Sequence, residues 1–170
     1  MGCRLTGRGV RVSGLLLEVE KVLRCGFEVR NVDRIPHGVY APVVRRYCEL
    51  LWEVFGGRLV SVMLFGSVAR GDWGRDSDID FVVVVEGWEG VPVWERVREL
   101  GRVKELLERS VEYGEALRRG FWPVVQNYPL SVEEAGRFNM VYLDALLDGV
   151  ILYDRGASWR GCLARLGRGC

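Results

Sequence analysis

The apolar and polar positions along the chain predict alternating helices and strands. Between residues 39 and 55, apolar side chains recur every three or four positions, which is the spacing of one face of an amphipathic helix. These positions are Tyr40, Val43, Val44, Tyr47, Leu51, Val54 and Phe55. Gly56 and Gly57 follow directly, so we expect the helix to stop there.

Two strands are predicted after this helix. Residues 58–65 are mostly apolar and predict a buried strand that ends abruptly at Gly66 and Ser67. After a polar turn, a second strand is predicted over residues 78–85, starting with Asp78 and Asp80 and continuing through four consecutive valines. Valine is a poor helix former because its χ1 angle is restricted, and it suits the interior of a sheet.

The remaining elements follow from the same patterns. We predict a long helix over residues 92–118, a third strand over residues 121–128 closed by Pro129, and a last strand over residues 150–153. Ser131 and Glu134 have the spacing of a capping box and predict the start of a helix that continues to about Ala145. A short helix is predicted over residues 15–24, whereas glycines weaken any helix in the tail after residue 155.

Composition narrows the class of protein. A chain of 170 residues with 49% hydrophobic and 28% charged residues fits one folded domain. No apolar run approaches the roughly 20 residues of a membrane helix, and the basic N-terminus lacks the apolar core of a signal peptide, so we expect a cytoplasmic protein. A net charge of +1 provides no global field for nucleic acid. Few amide side chains and abundant Arg, Glu and Val suggest a thermophilic source.

The cysteines and the histidine do not form a recognisable site. Five cysteines without a CxxC pair, together with a single histidine, argue against structural zinc and against a secreted disulfide framework. Whether any of these cysteines forms a disulfide stays open. The histidine, His37, follows Pro36 and is interpreted as a loop residue.

The chemistry is concentrated between the first two predicted strands. Gly66 allows backbone to approach a ligand closely, and the amides and hydroxyl around Ser67 are the donors that receive a phosphate. Asp78 and Asp80 lie two residues apart on one strand, so both carboxylates point to one side. Two such carboxylates beside a triphosphate are what magnesium requires. Arg70 is expected to face the triphosphate.

This stretch resembles the nucleotidyltransferase superfamily named for DNA polymerase beta, and within it the minimal archaeal and bacterial members. Their signature is Gly-Ser, ten intervening residues and Asp-x-Asp, which Gly66-Ser67 and Asp78-Ile79-Asp80 match. Residues 69–72 and Ser77 match the fuller form of the minimal group, and residues 142–145 and 151–154 look similar to the second half of archaeal members. So many specified positions rarely coincide by chance in the right strand-turn-strand context.

The resemblance implies a fold, a domain layout and a set of ligands. The fold class would be α/β (α+β), with a small mixed sheet and helices mainly on one face. The nucleotidyltransferase domain would span residues 39–154, between an N-terminal helical extension (1–38) and a C-terminal tail (155–170). Asp78 and Asp80 would be the catalytic carboxylates and hold Mg²⁺ or Mn²⁺, while Gly66, Ser67 and Arg70 would bind a nucleoside triphosphate, expected to be ATP.

The third predicted strand departs from the family pattern. The superfamily usually supplies a third carboxylate there, as metal ligand and as base for the attacking hydroxyl. Residues 121–128 contain no acid, and Gln126 is the possible equivalent of that carboxylate, or Val125 if the strand register is shifted by one residue. The amide of Gln126 cannot usefully accept a proton. Glu115, Asp144 or Asp148 could replace the missing acid by folding back. The site is therefore either an active transferase or a catalytically weak one that still binds nucleotide.

Two functions stay open at this point. The first is an enzyme that transfers a nucleoside monophosphate to an acceptor hydroxyl on a protein, a small molecule or a nucleic acid. The second is an antitoxin-like regulator, because many minimal nucleotidyltransferases resemble antitoxins paired with a separate helical partner of the HEPN type. A homodimer is also open.

Several aromatic and basic residues have alternative interpretations. Trp73, Trp88 and Trp94 lie near the motif and could stack on a base, although core packing is the commoner role of such side chains. Arg118 and Arg119 could contact an acidic acceptor or lie in solvent at a helix end.

Overall fold

A four-stranded mixed sheet organises the protein. The computed structural model describes residues 27–137 and 148–155. Its strands are β1 (Leu59–Phe65), β2 (Ile79–Val85), β3 (Val125–Leu130) and β4 (Val150–Asp154). The strand order is β3-β2-β1-β4, in which β2 and β3 are parallel and the other two pairs are antiparallel. The α/β class and the small mixed sheet expected from the sequence are confirmed.

The helices of the described residues connect these strands. They are α1 (Tyr40–Phe55), α2 (Gly66–Arg70), α3 (Val93–Glu108), α4 (Val111–Arg118) and α5 (Val132–Ala135), with two 3-10 turns at Val32–Arg34 and Gly56–Arg58. The apolar stripe predicted for α1 is buried, with the exception of Val54, which is 40% exposed. The helix ends at Gly56, whose φ of 52° favours glycine. None of the described helices is long and apolar enough to cross a membrane.

The main core lies on one face of the sheet. Side chains from α1, α3 and α4 pack there against alternate strand residues such as Val62, Leu64, Ile79 and Phe81. The opposite face carries a smaller cluster, formed by Val60, Met63, Phe65, Val82 and Val84. Because strand side chains alternate, β2 contributes valines to both clusters. Within the described part of the chain, the helices therefore lie mainly on one face.

The long helix predicted over residues 92–118 is two helices. The first, α3, ends at Glu108, and α4 begins at Val111 after a break at Arg109 and Ser110. The Ser110 hydroxyl accepts a hydrogen bond from the Tyr113 amide (3.3 Å) and so caps α4. The apolar spacing that predicted one helix is only partly buried, because Leu100 and Leu107 of α3 lie in the core whereas Val111 at the start of α4 is 73% exposed.

The third strand is displaced from its predicted position. It begins at Val125 and continues through Pro129 to Leu130, whereas residues 121–128 were expected. The Phe121 amide instead donates to the Ala116 carbonyl at the end of α4 (3.0 Å). Among the described strands β3 pairs only with β2, and an edge strand tolerates a proline because one side of it needs no N–H donor.

A buried arginine forms an ion pair next to the end of β3. Arg96 of α3 is only 4% exposed, and its guanidinium donates to Glu134 Oε1 (3.1 Å), to Glu134 Oε2 and to the Val91 carbonyl (2.8 Å). Glu134 also belongs to the predicted capping box with Ser131, which is present at the start of α5. Since α5 follows β3 directly, this ion pair holds the strand that carries Gln126.

The segment before α1 packs on the sheet. Val32 and Ile35 are buried in the main core, and the ring of Phe27 stacks on Trp52 at 4.9 Å between centroids. The domain boundaries at residues 38 and 154 stay predictions. The helix predicted from Ser131 to about Ala145 ends at Ala135, where Gly136 follows as its C-cap, and residues 138–147 lie outside the described residues. The predicted helix over residues 15–24, Asp144 and residues 156–170 also lie outside them.

Candidate active site

The pairing of β1 with β2 brings the Gly-Ser turn to the two aspartates. The antiparallel register aligns Phe65, the last residue of β1, with Asp80, the second residue of β2. Gly66 and Ser67 therefore leave β1 beside the start of β2, and Asp78 lies immediately before that strand. The adjacency follows from an antiparallel pair, in which the end of one strand meets the beginning of the other.

Gly66 approaches the Asp80 carboxylate more closely than another residue could. Its φ is +77°, in the region that L side chains rarely adopt. A Cβ atom on Gly66 would lie within 3.0 Å of Asp80 Oδ2, and 3.3 Å from the carboxyl carbon. The glycine therefore leaves room for the carboxylate beside the backbone of the turn.

The two aspartates share the sheet face that α1, α3 and α4 leave free. Ile79 between them is fully buried in the main core, so strand alternation directs Asp78 and Asp80 to the opposite face. Asp78 is exposed, whereas Asp80 is half-buried. The pKa of Asp80 is raised, first by burial and then by the negative charge of Asp78, while the charge of Arg70 acts in the other direction. A cation shared by the two carboxylates would relieve this repulsion.

These features fit a divalent cation bound by a small number of protein oxygens. Gly66 leaves space beside the Asp80 carboxylate, and Asp78 and Asp80 provide hard oxygen ligands. Residues 27–137 and 148–155 contain no group of three or more His, Cys, Asp or Glu side chains arranged to hold a metal. Further ligands would have to come from the substrate, from water or from an amide, as is usual for magnesium.

Arg70 lies next to the aspartates at the end of α2. Its Nε donates to Asp72 Oδ2 (3.2 Å), and its Nη1 lies 3.9 Å from Asp148 Oδ2. The side chain is 39% exposed, so it remains accessible to a ligand. Asp148, one of the acids considered as a replacement, thus lies beside Arg70. Glu115 lies on α4, which packs on the opposite face of the sheet from Asp80.

Gln126 lies beside Asp80 across the parallel strand pair. The register of β2 and β3 aligns Asp80 with Gln126, so both side chains point to the same face. Val125 is buried in the main core, and Asn127 accepts a hydrogen bond from the Tyr47 hydroxyl (2.9 Å) on that side. The residue on β3 that faces the aspartates is therefore Gln126.

Contacts that the sequence does not show support the turn before Asp78. The Tyr40 hydroxyl donates to the Gly74 carbonyl (2.6 Å), and the Gly74 amide donates to the Ser77 hydroxyl (2.6 Å). The ring of His37 packs on Trp73 at 3.7 Å between centroids. Tyr40 was recognised only as a core position, because a hydroxyl that reaches 34 residues along the chain leaves no local pattern.

His37 also caps the start of α1. Its Nδ1 accepts hydrogen bonds from the amides of Val39 (3.2 Å) and Tyr40 (3.4 Å). An accepting Nδ1 carries no proton, so the neutral ring is required. Burial, and then the positive charge of Arg119, lower the pKa of His37. The loop residue expected from the sequence thus has a structural role as a helix cap.

The three tryptophans near the motif have different environments. Trp73 packs in the aromatic cluster with His37, and Trp88 is fully buried against the edge of Phe55. Trp94 is 62% exposed on α3, where the Arg98 guanidinium lies 5.5 Å from its ring centroid. Trp88 packs on Phe55 near the start of β1, and Trp94 contacts Arg98 of its own helix, so neither contact is to the Gly-Ser turn.

Comparison with known proteins identifies the family. The model of the nucleotidyltransferase domain family matches residues 44–127. One similar protein of Methanocaldococcus jannaschii, named as a candidate protein adenylyltransferase, is 23% identical over 133 residues, which cover 73% of this chain and 78% of that protein. A second protein of that organism with the same name is 22% identical over 53% of this chain and 95% of its own length.

Two solved structures show a weaker likeness. A candidate nucleotidyltransferase from Sulfolobus solfataricus has a TM-score of 0.40 and 22% identity, covering 71% of this chain and 91% of its own. A toxin-antitoxin structure with AMP-PNP has a TM-score of 0.43 and 16% identity, covering 73% and 84%. These scores are too low to add to the assignment, which rests on the family model and the sequence relatives. Residues 44–127 therefore match the nucleotidyltransferase domain family, which fits the superfamily named for DNA polymerase beta, a class of enzymes.

Proposed function

We propose that the protein transfers a nucleoside monophosphate from a nucleoside triphosphate, expected to be ATP, to an acceptor hydroxyl, with Mg²⁺ or Mn²⁺. The approach of Gly66 to the Asp80 carboxylate carries this proposal, because it sets a phosphate-binding turn directly against a metal-binding carboxylate. The relatives named as protein adenylyltransferases favour a hydroxyl on a protein as the acceptor.

Each residue of the site has a role in this proposal. The backbone at Gly66 and the hydroxyl of Ser67 receive the triphosphate, and Arg70 adds a positive charge to its phosphates. Asp78 and Asp80 hold the metal. When bound, the metal supplies positive charge that stabilises the transferring phosphoryl group.

The reaction itself breaks one bond and forms another. The acceptor oxygen attacks the α-phosphorus, the bond between the α-phosphorus and the bridging oxygen breaks, and pyrophosphate leaves. The hydroxyl proton must go to a base, and Gln126 beside Asp80 cannot accept it usefully. Since general base catalysis typically contributes about 10²- to 10⁴-fold, transfer should be slow.

A thermal-shift measurement tests the ligands of the site. ATP should raise the melting temperature only when Mg²⁺ or Mn²⁺ is present, because a ligand that binds the native state stabilises it by mass action. Asp78→Ala with Asp80→Ala should abolish this dependence. Glu105→Ala with Glu108→Ala removes two exposed acids of α3 and serves as the control of equal charge. An unchanged metal-dependent shift in the aspartate variant would overturn the proposed site.

The second candidate function is an antitoxin-like regulator of a separate HEPN-type helical protein. The observation that favours it is the amide of Gln126 at the face of Asp80, where binding would persist although proton transfer is lost. Incubation with α-labelled ATP, metal and purified candidate partners separates the two functions. Label that becomes covalently attached to an acceptor supports the transferase. Metal-dependent nucleotide binding without any transfer supports the regulator.

A further inference from the structure

A basic cavity lies between the end of α1 and the outer side of α3. Its volume is about 370 Å³, and its lining, called here the arginine pocket, consists of Val54, Phe55, Arg58, Arg98, Glu99 and Arg102. Three positive charges and one negative charge face this space, in a chain whose overall net charge is +1. The volume is in the range of small-molecule sites.

One arginine of the pocket is held in place by the surrounding structure. Arg58 Nε donates to the Glu86 carbonyl (3.1 Å), and its Nη1 lies 3.9 Å from Glu99 Oε2. The same Glu99 oxygen accepts a hydrogen bond from Trp88 Nε1 (3.4 Å), so the carboxylate is fixed by the core. The Arg58 Nη2 donors take part in neither contact. Glu99 therefore positions the guanidinium of Arg58 and leaves the Nη2 edge of that group for a ligand.

The other two arginines have unused donors. Arg98 and Arg102 are exposed, and no ion pair or hydrogen bond of their guanidinium groups is formed within the described residues. They lie four residues apart on α3, where like charges destabilise a helix. Arg98 rests against the exposed ring of Trp94. A bound anion would offset the repulsion between the two arginines.

The arginine pocket is separate from the candidate active site. Arg58 precedes the first residue of β1, whereas Gly66 follows its last residue. Seven residues of extended strand span roughly 20 Å. A ligand of the pocket would therefore not contact Asp78 or Asp80.

We propose that the arginine pocket is a second ligand site, which binds a phosphate group of a small molecule without a metal ion. Guanidinium groups match the oxygens of a phosphate with paired donors, and arginine is more suitable for this geometry than lysine. The phosphate could be inorganic or belong to a nucleotide, whose base would stack on Trp94. The proposal does not depend on the proposed transferase function.

Calorimetric titration in EDTA tests this site apart from the metal-dependent one. Pyrophosphate, inorganic phosphate and AMP are titrated into the whole protein at 0.15 M salt. We expect saturable binding that Arg98→Gln with Arg102→Gln weakens by about tenfold or more, since each charged hydrogen bond contributes substantially. Both side chains are exposed, so the variant should fold. Tighter binding of AMP than of phosphate, lost in Trp94→Leu, would assign a nucleotide; tighter pyrophosphate would assign an inorganic ligand.

A matched variant controls for the loss of two charges. Arg34→Gln with Arg45→Gln changes the net charge equally but leaves the lining of the pocket intact. It should bind within about twofold of the wild type, because charges farther apart than about 8 Å are largely screened at this salt concentration. Asp80→Asn should also bind normally. Two results overturn the proposal: no saturable binding with a Kd below roughly 1 mM, or equal weakening in both charge variants.

Discussion

Replacing Gly66 with alanine tests the close approach on which the candidate site depends. The added Cβ would meet Asp80 Oδ2 within 3.0 Å and the carboxyl carbon at 3.3 Å. It would also place an L side chain at a φ of +77°. The carboxylate must then move away from the turn, or the turn must change its backbone conformation.

The magnitude of the effect follows from these two costs. A left-handed conformation costs alanine about 1–2 kcal/mol, and pushing the Asp80 side chain from its rotamer costs about 0.5–1.5 kcal/mol. We therefore expect a loss of roughly 1.5–3.5 kcal/mol in the free energy of unfolding. For a chain of this size, this corresponds to a fall in Tm of about 3–14 °C. A displacement of ~1 Å at the reacting groups can cost ~10²-fold in rate.

Thermal unfolding in EDTA measures the effect of the substitution on stability, and unfolding with ATP and Mg²⁺ measures its effect on metal-dependent nucleotide binding. Gly101→Ala is the matched control, because a Cβ there meets nothing within 4 Å and its backbone is helical. That substitution should raise stability by about 0.5–1 kcal/mol. In a double-mutant cycle, Gly66→Ala should cost less when Asp80 is already alanine, by about 1 kcal/mol. Equal costs in both backgrounds, with a wild-type metal-dependent shift, would refute the proposed clash.

Three further predictions concern the surroundings of the site. Glu134→Ala should lower the free energy of unfolding by about 2–3 kcal/mol, because it leaves the buried guanidinium of Arg96 without its carboxylate. The control Glu133→Ala removes an exposed ion pair and should lower it by no more than about 0.5–1 kcal/mol; urea unfolding measures both. The pKa of His37 is lowered in the folded protein, so its neutral form stabilises the protein above pH 6.5, and this contribution should fall as the pH drops below 6.5. If the Tm of His37→Asn fell with decreasing pH as steeply as that of the wild type, this prediction would be contradicted. Gln126→Asp should tighten Mg²⁺ binding or raise transfer, and a metal titration at constant salt that shows neither would mean that Gln126 does not face the metal.

Short-range patterns were sufficient to predict the central motif. An apolar run predicts a strand, Gly66 and Ser67 predict the turn, and the valines after Asp80 predict the next strand. The two strands follow each other in the chain, separated by α2 and the turn before Asp78, and consecutive strands usually lie next to each other in a sheet. The same holds for the capping box at Ser131, whose two hydrogen bonds join residues three apart.

Long-range contacts decided the features that sequence patterns predicted wrongly or could not reach. One exception is local: the cap of Ser110, which accepts from the Tyr113 amide three residues away, interrupts the predicted long helix. The third strand continues through Pro129 because it lies at an edge of the described sheet, which the sequence cannot show. Arg96 looks like an ordinary surface arginine in the sequence, but it is buried and pairs with the partly exposed Glu134, 38 residues away.

The residues of the candidate site also fall into two groups: those that the sequence alone indicates, and those that only the tertiary structure brings together. The sequence determined the residues of the turn and the two aspartates, since these lie within 15 consecutive positions. Only the parallel register of β2 and β3 decided that Gln126 faces Asp80, across 46 residues of chain. Likewise, only the return of the chain to β4 brings Asp148 to Arg70. Local propensity acts over a few residues, whereas strand register and ion pairing depend on how the whole core packs.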